Sequence, residues 1–198
     1  MDLNEKYKEL LKKEGEVKGA VPIAAMKYIE KIEGQEGLDR LLYRLKEFGV
    51  EVDFRSLTDK TWIREADSAF FFLVAKDTFG WNDEDVFLVG KSIGKLSFHA
   101  KVFARAFVSP RKLFNGASSY WSRYYSFSQL EPVEFNEDEG YFIVRVHDHD
   151  FDPLVCTLQR GYIQHLTEVC TGSNNVTSEE TACVHRGDSY HEYVVRWK

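Results

Sequence analysis

Cys170, Cys183, His185 and His191 are the residues of this chain best suited by type to hold a metal ion. A thiolate and imidazole set suits zinc or iron, and the four would meet if the last helix lay beside the final strand pair. Their spacing includes no Cys-x-x-Cys and no compact histidine pair, so buried cysteine acting as a small hydrophobe is the competing reading. A second group, His147-Asp-His-Asp150, sits at a strand end. Side chains there alternate faces, only two of the four can point one way, and a solvated loop is the simpler reading. His99 stands midway along a helical stretch, where a packed or surface histidine is the default.

Nothing in the sequence makes a catalytic case. There is no Gly-x-Ser-x-Gly elbow and no dinucleotide fingerprint. Gly90-Lys-Ser-Ile-Gly94 lacks the upstream glycine of a phosphate loop and falls inside a helix. A non-enzymatic chain is expected.

The elements that must position these groups are legible from periodicity. Residues 181 to 185 and 191 to 197 alternate about Gly187-Asp188, which reads as two strands around one tight turn. Val133 and Phe135, then Phe142, Val144 and Val146, mark a second hairpin around residues 136 to 140. Between the hairpins, Asp152-Pro153 opens a helix whose stripe of Val155, Leu158, Tyr162, Leu166 and Val169 ends at Gly172. Upstream, residues 3 to 16 are charged and helix-permissive. Two short amphipathic helices are expected at 23 to 34 and 38 to 48, separated by Gly34 and Gly37. An apolar helix follows from Glu65. Asn82 and the acids after it start a long helix reaching Val108, and Pro110 starts another. The order predicts an α+β fold: N-terminal helices packed on a twisted antiparallel sheet of about four strands, with one crossover helix between two hairpins.

At 198 residues the chain suits one domain with a generous core. Its formal charge of -6 and the lack of a basic stripe argue against nucleic acid. The N-terminus is too charged for a signal peptide, and no apolar run approaches the roughly 18 residues of a membrane span. Three cysteines are an odd number in a chain with a full core, so a reduced, cytoplasmic protein is expected. The aromatic content of 15% is high. It predicts either a densely filled core or a pocket for a small apolar ligand. That pocket is placed among Gly90, Gly94 and Phe98 on the long helix, Tyr120, Trp121, Tyr124 and Tyr125 on the next, and the inner face of the sheet.

The C-terminal pattern of Glu179/Glu180, Cys183, Arg186-Gly187-Asp188, Glu192 and Trp197 resembles the end of the 4-vinyl reductase-like regulatory domains. It is especially similar to a paralogous family of myxobacteria. Gly19, Gly34-Gln-Glu-Gly37 and the Tyr120-Trp…Tyr124-Tyr125…Leu130 segment carry the resemblance from about residue 17 to the end. The expected division is therefore an N-terminal helical extension at 1–16 and a single domain at 17–198. Where that family has a second cysteine, this chain has His191.

The wider superfamily includes haem-NO-binding domains and the small subunits of the TRAPP vesicle-tethering complex. His99, Pro110 and Tyr120-Trp-Ser-Arg123 are similar in order to the histidine, proline and Tyr-x-Ser-x-Arg of the haem-NO-binding domains, with the last motif one residue short. The resemblance implies a sensory or regulatory domain that binds a small apolar ligand, signals to a protein partner and forms a homodimer. No cofactor is the first expectation. A haem on His99, or zinc or iron at Cys170, Cys183 and His191, is the alternative, as is a TRAPP-like dimerisation module with a filled core.

Overall fold

Tyr7 and Leu10 fix the first helix, α1 (Leu3–Leu10), because both are buried against α3 (Glu65–Phe79). The Tyr7 hydroxyl donates to the buried Asp67 carboxylate at 2.5 Å, and Lys6 pairs with Asp152 at 2.9 Å. The computed structural model describes residues 2–96 and 109–198.

After α1 the chain forms β1 (Glu16–Lys18), which pairs antiparallel with β2 (Trp62–Arg64). Three-residue strands are too short for an alternating pattern to show, and this ribbon was not expected. Between its strands runs α2 (Ala20–Glu47), where the two expected helices are joined end to end. The joint is Gly34, held at φ 73° and ψ 176°, a backbone state that a side chain would strain. α3 is buried on every face from Ala66 to Ala75, as its near-continuous apolar run requires. α4 (Asp83–Leu96) begins with a reciprocal cap. Asn82 Oδ1 accepts the amides of Glu84 and Asp85, and Asp85 Oδ2 accepts the amide of Asn82. The expected continuation to Val108, with Phe98 and His99, lies outside the described residues.

α5 (Pro110–Trp121) starts on a Ser109 cap and leads into the hairpin of β3 (Gln129–Asn136) and β4 (Tyr141–His147). α6 (Pro153–Thr171), capped by Asp152 and stopped by Gly172 in the left-handed region, crosses to β5 (Val176–Ala182) and β6 (His191–Trp197). The two hairpins form one antiparallel sheet in the order β3-β4-β6-β5. Edge strand β3 carries an irregularity in register between Pro132 and Glu134.

The fold class is the expected α+β. The final connection differs from the tight turn read from sequence. β5 stops at Ala182, and Val184–Arg186 form a short 3-10 turn closed by Gly187 at φ 96°. Local bonds outcompete the ladder here. The Cys183 carbonyl accepts the amides of Arg186 and Asp188, and the Asp188 carboxylate accepts the Cys183 amide at 2.7 Å.

Two apolar clusters result. One joins α1, α2, α3 and α4 to the first turns of α6, and the other lies between α5, the later turns of α6 and the inner face of the sheet.

Candidate functional site

α6 is the element that both sites share. In its first turn Cys156 faces the end of β6, and four potential metal donors converge there: Cys156, Glu180, Cys183 and His191, all within 4.8 Å of one another. The Sγ atoms of Cys156 and Cys183 are 4.0 Å apart, Cys156 Sγ lies 3.5 Å from His191 Nδ1, and His191 Nδ1 lies 3.2 Å from Glu180 Oε1. For a tetrahedral zinc with ordinary sulfur, nitrogen and oxygen bond lengths, those donor–donor edges would be about 3.8, 3.5 and 3.3 Å. The donors therefore sit close to the spacing that an ion needs.

The surroundings hold the donors in place. His191 Nε2 donates to the carbonyl of His149 at 2.8 Å, which leaves Nδ1 for the cluster. Arg186 pairs with Glu180 at 3.2 Å. Burial raises the thiols of Cys156 and Cys183 above the ordinary cysteine range, while for Glu180 burial is outweighed by its contacts with His191 and Cys183 and its carboxyl is lowered. With no ion, the thiols are protonated near neutral pH. A cation there would release those protons and bind as thiolates do.

Sequence reasoning named Cys183 and His191, which the fold brings together, and also Cys170, which it does not. Cys170 lies 14 residues along α6 from Cys156, about 21 Å at the helical rise, and packs with the sheet cluster. His185 sits beside the cluster, its ring 5.7 Å from that of His191, without joining the four. Cys156 and Glu180 were missed as donors. A cysteine four residues after a helix cap carries no spacing signal of its own.

The His147-Asp-His-Asp150 segment also departs from the solvated loop expected for it. Asp148 adopts φ 58°, and His149 lies 2% exposed among the rings of Trp121, Tyr125, Phe127 and Phe151. Burial, reinforced by the nearby His191, pushes the His149 imidazole down to about 3, so it is neutral. Its Nε2 stands 3.7 Å from Glu65 Oε1. His147 instead faces out and pairs with Glu131.

In the same turns of α6, Val155, Leu158 and Gln159 line a chamber completed by α2, α3, α4 and the aromatic end of α5. Tyr120, Trp121, Tyr124 and Tyr125 all face it. The cavity measures about 50 Å³. Tyr120 and Tyr162 share a 2.7 Å hydroxyl contact, and both also line a second apolar cavity against the sheet. Gly90 and Gly94 are placed elsewhere. They are notches that receive Leu158 and His165 of α6.

No family model matches this chain, and no curated protein matches its sequence. Solved structures do match in fold. An H-NOX protein from S. oneidensis in the Fe(II)NO ligation state superposes with a TM-score of 0.69 at 11% identity, over 91% of this chain and 99% of that one. An oxygen-binding H-NOX domain related to soluble guanylate cyclases gives 0.66 at 14%, over 91% and 95%. An unliganded Fe(II) H-NOX protein from K. algicida gives 0.64 at 9%, over 91% and 96%. At these identities the match establishes the fold.

These matches correct one expectation. A chain without a cofactor was the first reading, yet the proteins that share its fold are described with Fe(II), nitric oxide and oxygen ligation and with a haem whose distortion sets its redox potential. Several of those neighbours are described with Fe(II) or haem, so the cofactor-free reading loses its place. The chamber's 50 Å³ has room for a molecule of a few heavy atoms and is far below the roughly 300 Å³ and more of pockets that enclose drug-sized ligands, let alone a haem. Ser122 and Arg123 of the shortened Tyr-x-Ser-x-Arg motif are exposed, while Tyr120 is buried. As they stand, the described residues do not fit a haem with its two propionates. The Cys156, Glu180, Cys183 and His191 set does fit a zinc or ferrous ion.

Proposed function

We propose that this chain is a metal-dependent sensory domain on the H-NOX fold, in which an ion at Cys156, Glu180, Cys183 and His191 braces the wall of a small-ligand chamber. One observation carries the reading. The first turns of α6 supply Cys156 to the donor cluster and Val155, Leu158 and Gln159 to the chamber. Tyr193 ties the two together, its hydroxyl donating to Gln159 Oε1 at 2.9 Å from the strand that carries His191. A ligand that shifts α6 would thus be felt by the ion and by the sheet, and a protein partner would read that shift. The resemblance to the 4-vinyl reductase-like domains supports it, since Glu180 and Cys183 belong to the pattern that carries the resemblance.

The test is metal analysis of the purified chain, with thermal unfolding before and after chelation. One equivalent of zinc or iron, lost together with several degrees of thermal midpoint on chelation, is the expected result. A protein that purifies without metal, takes none up and unfolds identically with chelator would overturn it.

A second reading, a haem-based gas sensor in which His99 would hold the haem, is favoured by the ligation states of the fold's solved members. It is separated by the visible spectrum. A Soret band after reconstitution with haem, abolished by His99→Ala, would establish this reading in place of the first.

A further inference from the structure

Two buried polar atoms in the chamber have no partner. Glu65 is 2% exposed and Gln159 5% exposed, both line the same cavity, and neither Glu65 Oε2 nor Gln159 Nε2 makes a hydrogen bond. The orientation of Gln159 is set from behind, because its Oε1 accepts from the Tyr193 hydroxyl. The amide group is left to donate into the cavity. Glu65 opens α3, and burial lifts its carboxyl to about 8, so at neutral pH it is a neutral acid able both to donate and to accept. Apolar walls from Ala20, Phe72, Ile93 and Leu158 surround them, with Ser68 and four tyrosines completing the lining.

Native proteins seldom leave such groups unmet in a dry interior, and two of them facing one small cavity mark the outline of a missing partner. Among the described lining residues none is a lysine, arginine or histidine. An anionic head would lose its hydration and gain no counter-charge there.

We infer that the chamber binds a small neutral molecule with an apolar body and a carboxamide-type head, whose carbonyl accepts from Gln159 Nε2 and whose N–H meets the Glu65 carboxyl. This rests on the proposal that the chamber is a ligand site, and it specifies what that site selects. A ketone has a carbonyl for Gln159 but no N–H to give the Glu65 carboxyl. A carboxylate could accept from both groups, but only by burying a charge that nothing in the lining compensates.

Acetamide, acetone and acetate have the same number of heavy atoms and nearly the same shape, so they isolate the head group. The experiment titrates each into the full-length protein, with the Gln159 side-chain amide followed by NMR, and uses xenon as an apolar probe of the cavity. The expected result is that acetamide binds about tenfold more tightly than acetone, as one additional buried hydrogen bond would give, with acetate undetectable. The Gln159 amide resonances should shift with acetamide, Gln159→Leu should weaken acetamide and acetone alike, and Glu65→Leu should abolish the preference for acetamide. The isosteric comparison on the unaltered protein stands even if either variant does not fold. Equal binding of acetamide and acetone, or any binding of acetate, overturns the inference about the head while leaving the chamber as a ligand site. If none of the three enters and xenon does not either, ordered water alone fills the cavity, and the chamber reading falls with the inference.

Discussion

Gly90 of α4 lies directly against Leu158 of α6, so close that a Cβ at position 90 would sit 2.1 Å from the Leu158 carbonyl oxygen. The arrangement is reciprocal. A Cβ on Gly161 of α6 would sit 2.2 Å from the Phe87 carbonyl of α4. Backbone approaches backbone at both points, and neither neighbour can rotate away.

Gly90→Ala should therefore force the two helices apart and cost about 1–3 kcal/mol or more by overpacking. Gly94→Ala should cost less, because its Cβ would meet the His165 ring, at 2.9 Å, and a side chain can turn. Chemical denaturation of the two variants checks the order. Equal losses would show that α4 and α6 are not held as described.

Cys156→Ala should remove any bound metal and Cys170→Ala should not, since only the former sits among the donors. If the site is a true metal site, saturating ion at a thousand times its Kd adds about 4 kcal/mol to the parent's stability, and that increment should vanish in Cys156→Ala. Titration of both variants with zinc, followed by thermal unfolding, measures it.

Glu65 predicts a pH dependence. Its folded carboxyl titrates at about 8 against an ordinary 4.5 because it is buried. Between those values the folded chain holds a proton that the unfolded chain has released. Stability should therefore fall as pH rises through that window, by up to about 1.4 kcal/mol per unit. Glu65→Gln carries no titrating proton and should flatten the slope. A variant with the parent's slope would place the titration elsewhere.

Tyr7→Phe tests the docking of α1. It removes the hydroxyl from Asp67, which is 1% exposed and keeps Arg64 as its other partner. Leaving the carboxylate short of one donor should cost about 1–3 kcal/mol. Removing residues 1–11 should cost more, because Leu10 and the Lys6–Asp152 pair go as well. Urea unfolding of both proteins distinguishes a docked helix from a loose one.

Much of this architecture was legible because its signals are local. The Asn82 and Asp152 caps, the apolar stripe of α6 and the alternation in β4 and β6 each declare an element without reference to the rest of the chain. The site was less legible because its members are not local. Cys156 becomes a candidate donor only once α6 lies across β6, and Cys170, equally plausible by type, lies on the wrong end of the same helix. His149 was hidden for another reason. One positive φ at Asp148 turns it inward, and no sequence pattern marks that. Gly90 and Gly94 were read correctly as places of close approach, but periodicity does not say whether a ligand or a neighbouring backbone does the approaching. Here it is α6.

The irregular rim of β3 bears on how this protein behaves when crowded. A strand at the margin of a sheet offers unused amides and carbonyls to any extended segment of another molecule, and that is how fibrils begin. Pro132 has no amide to offer, and the register breaks immediately after it. Glu131 and Glu134 add like charge along the same margin. A second molecule approaching this side meets an interrupted hydrogen-bonding row and electrostatic repulsion, so templated polymerisation has to look to the opposite border of the sheet. There β5 presents Glu179 and Glu180 in turn.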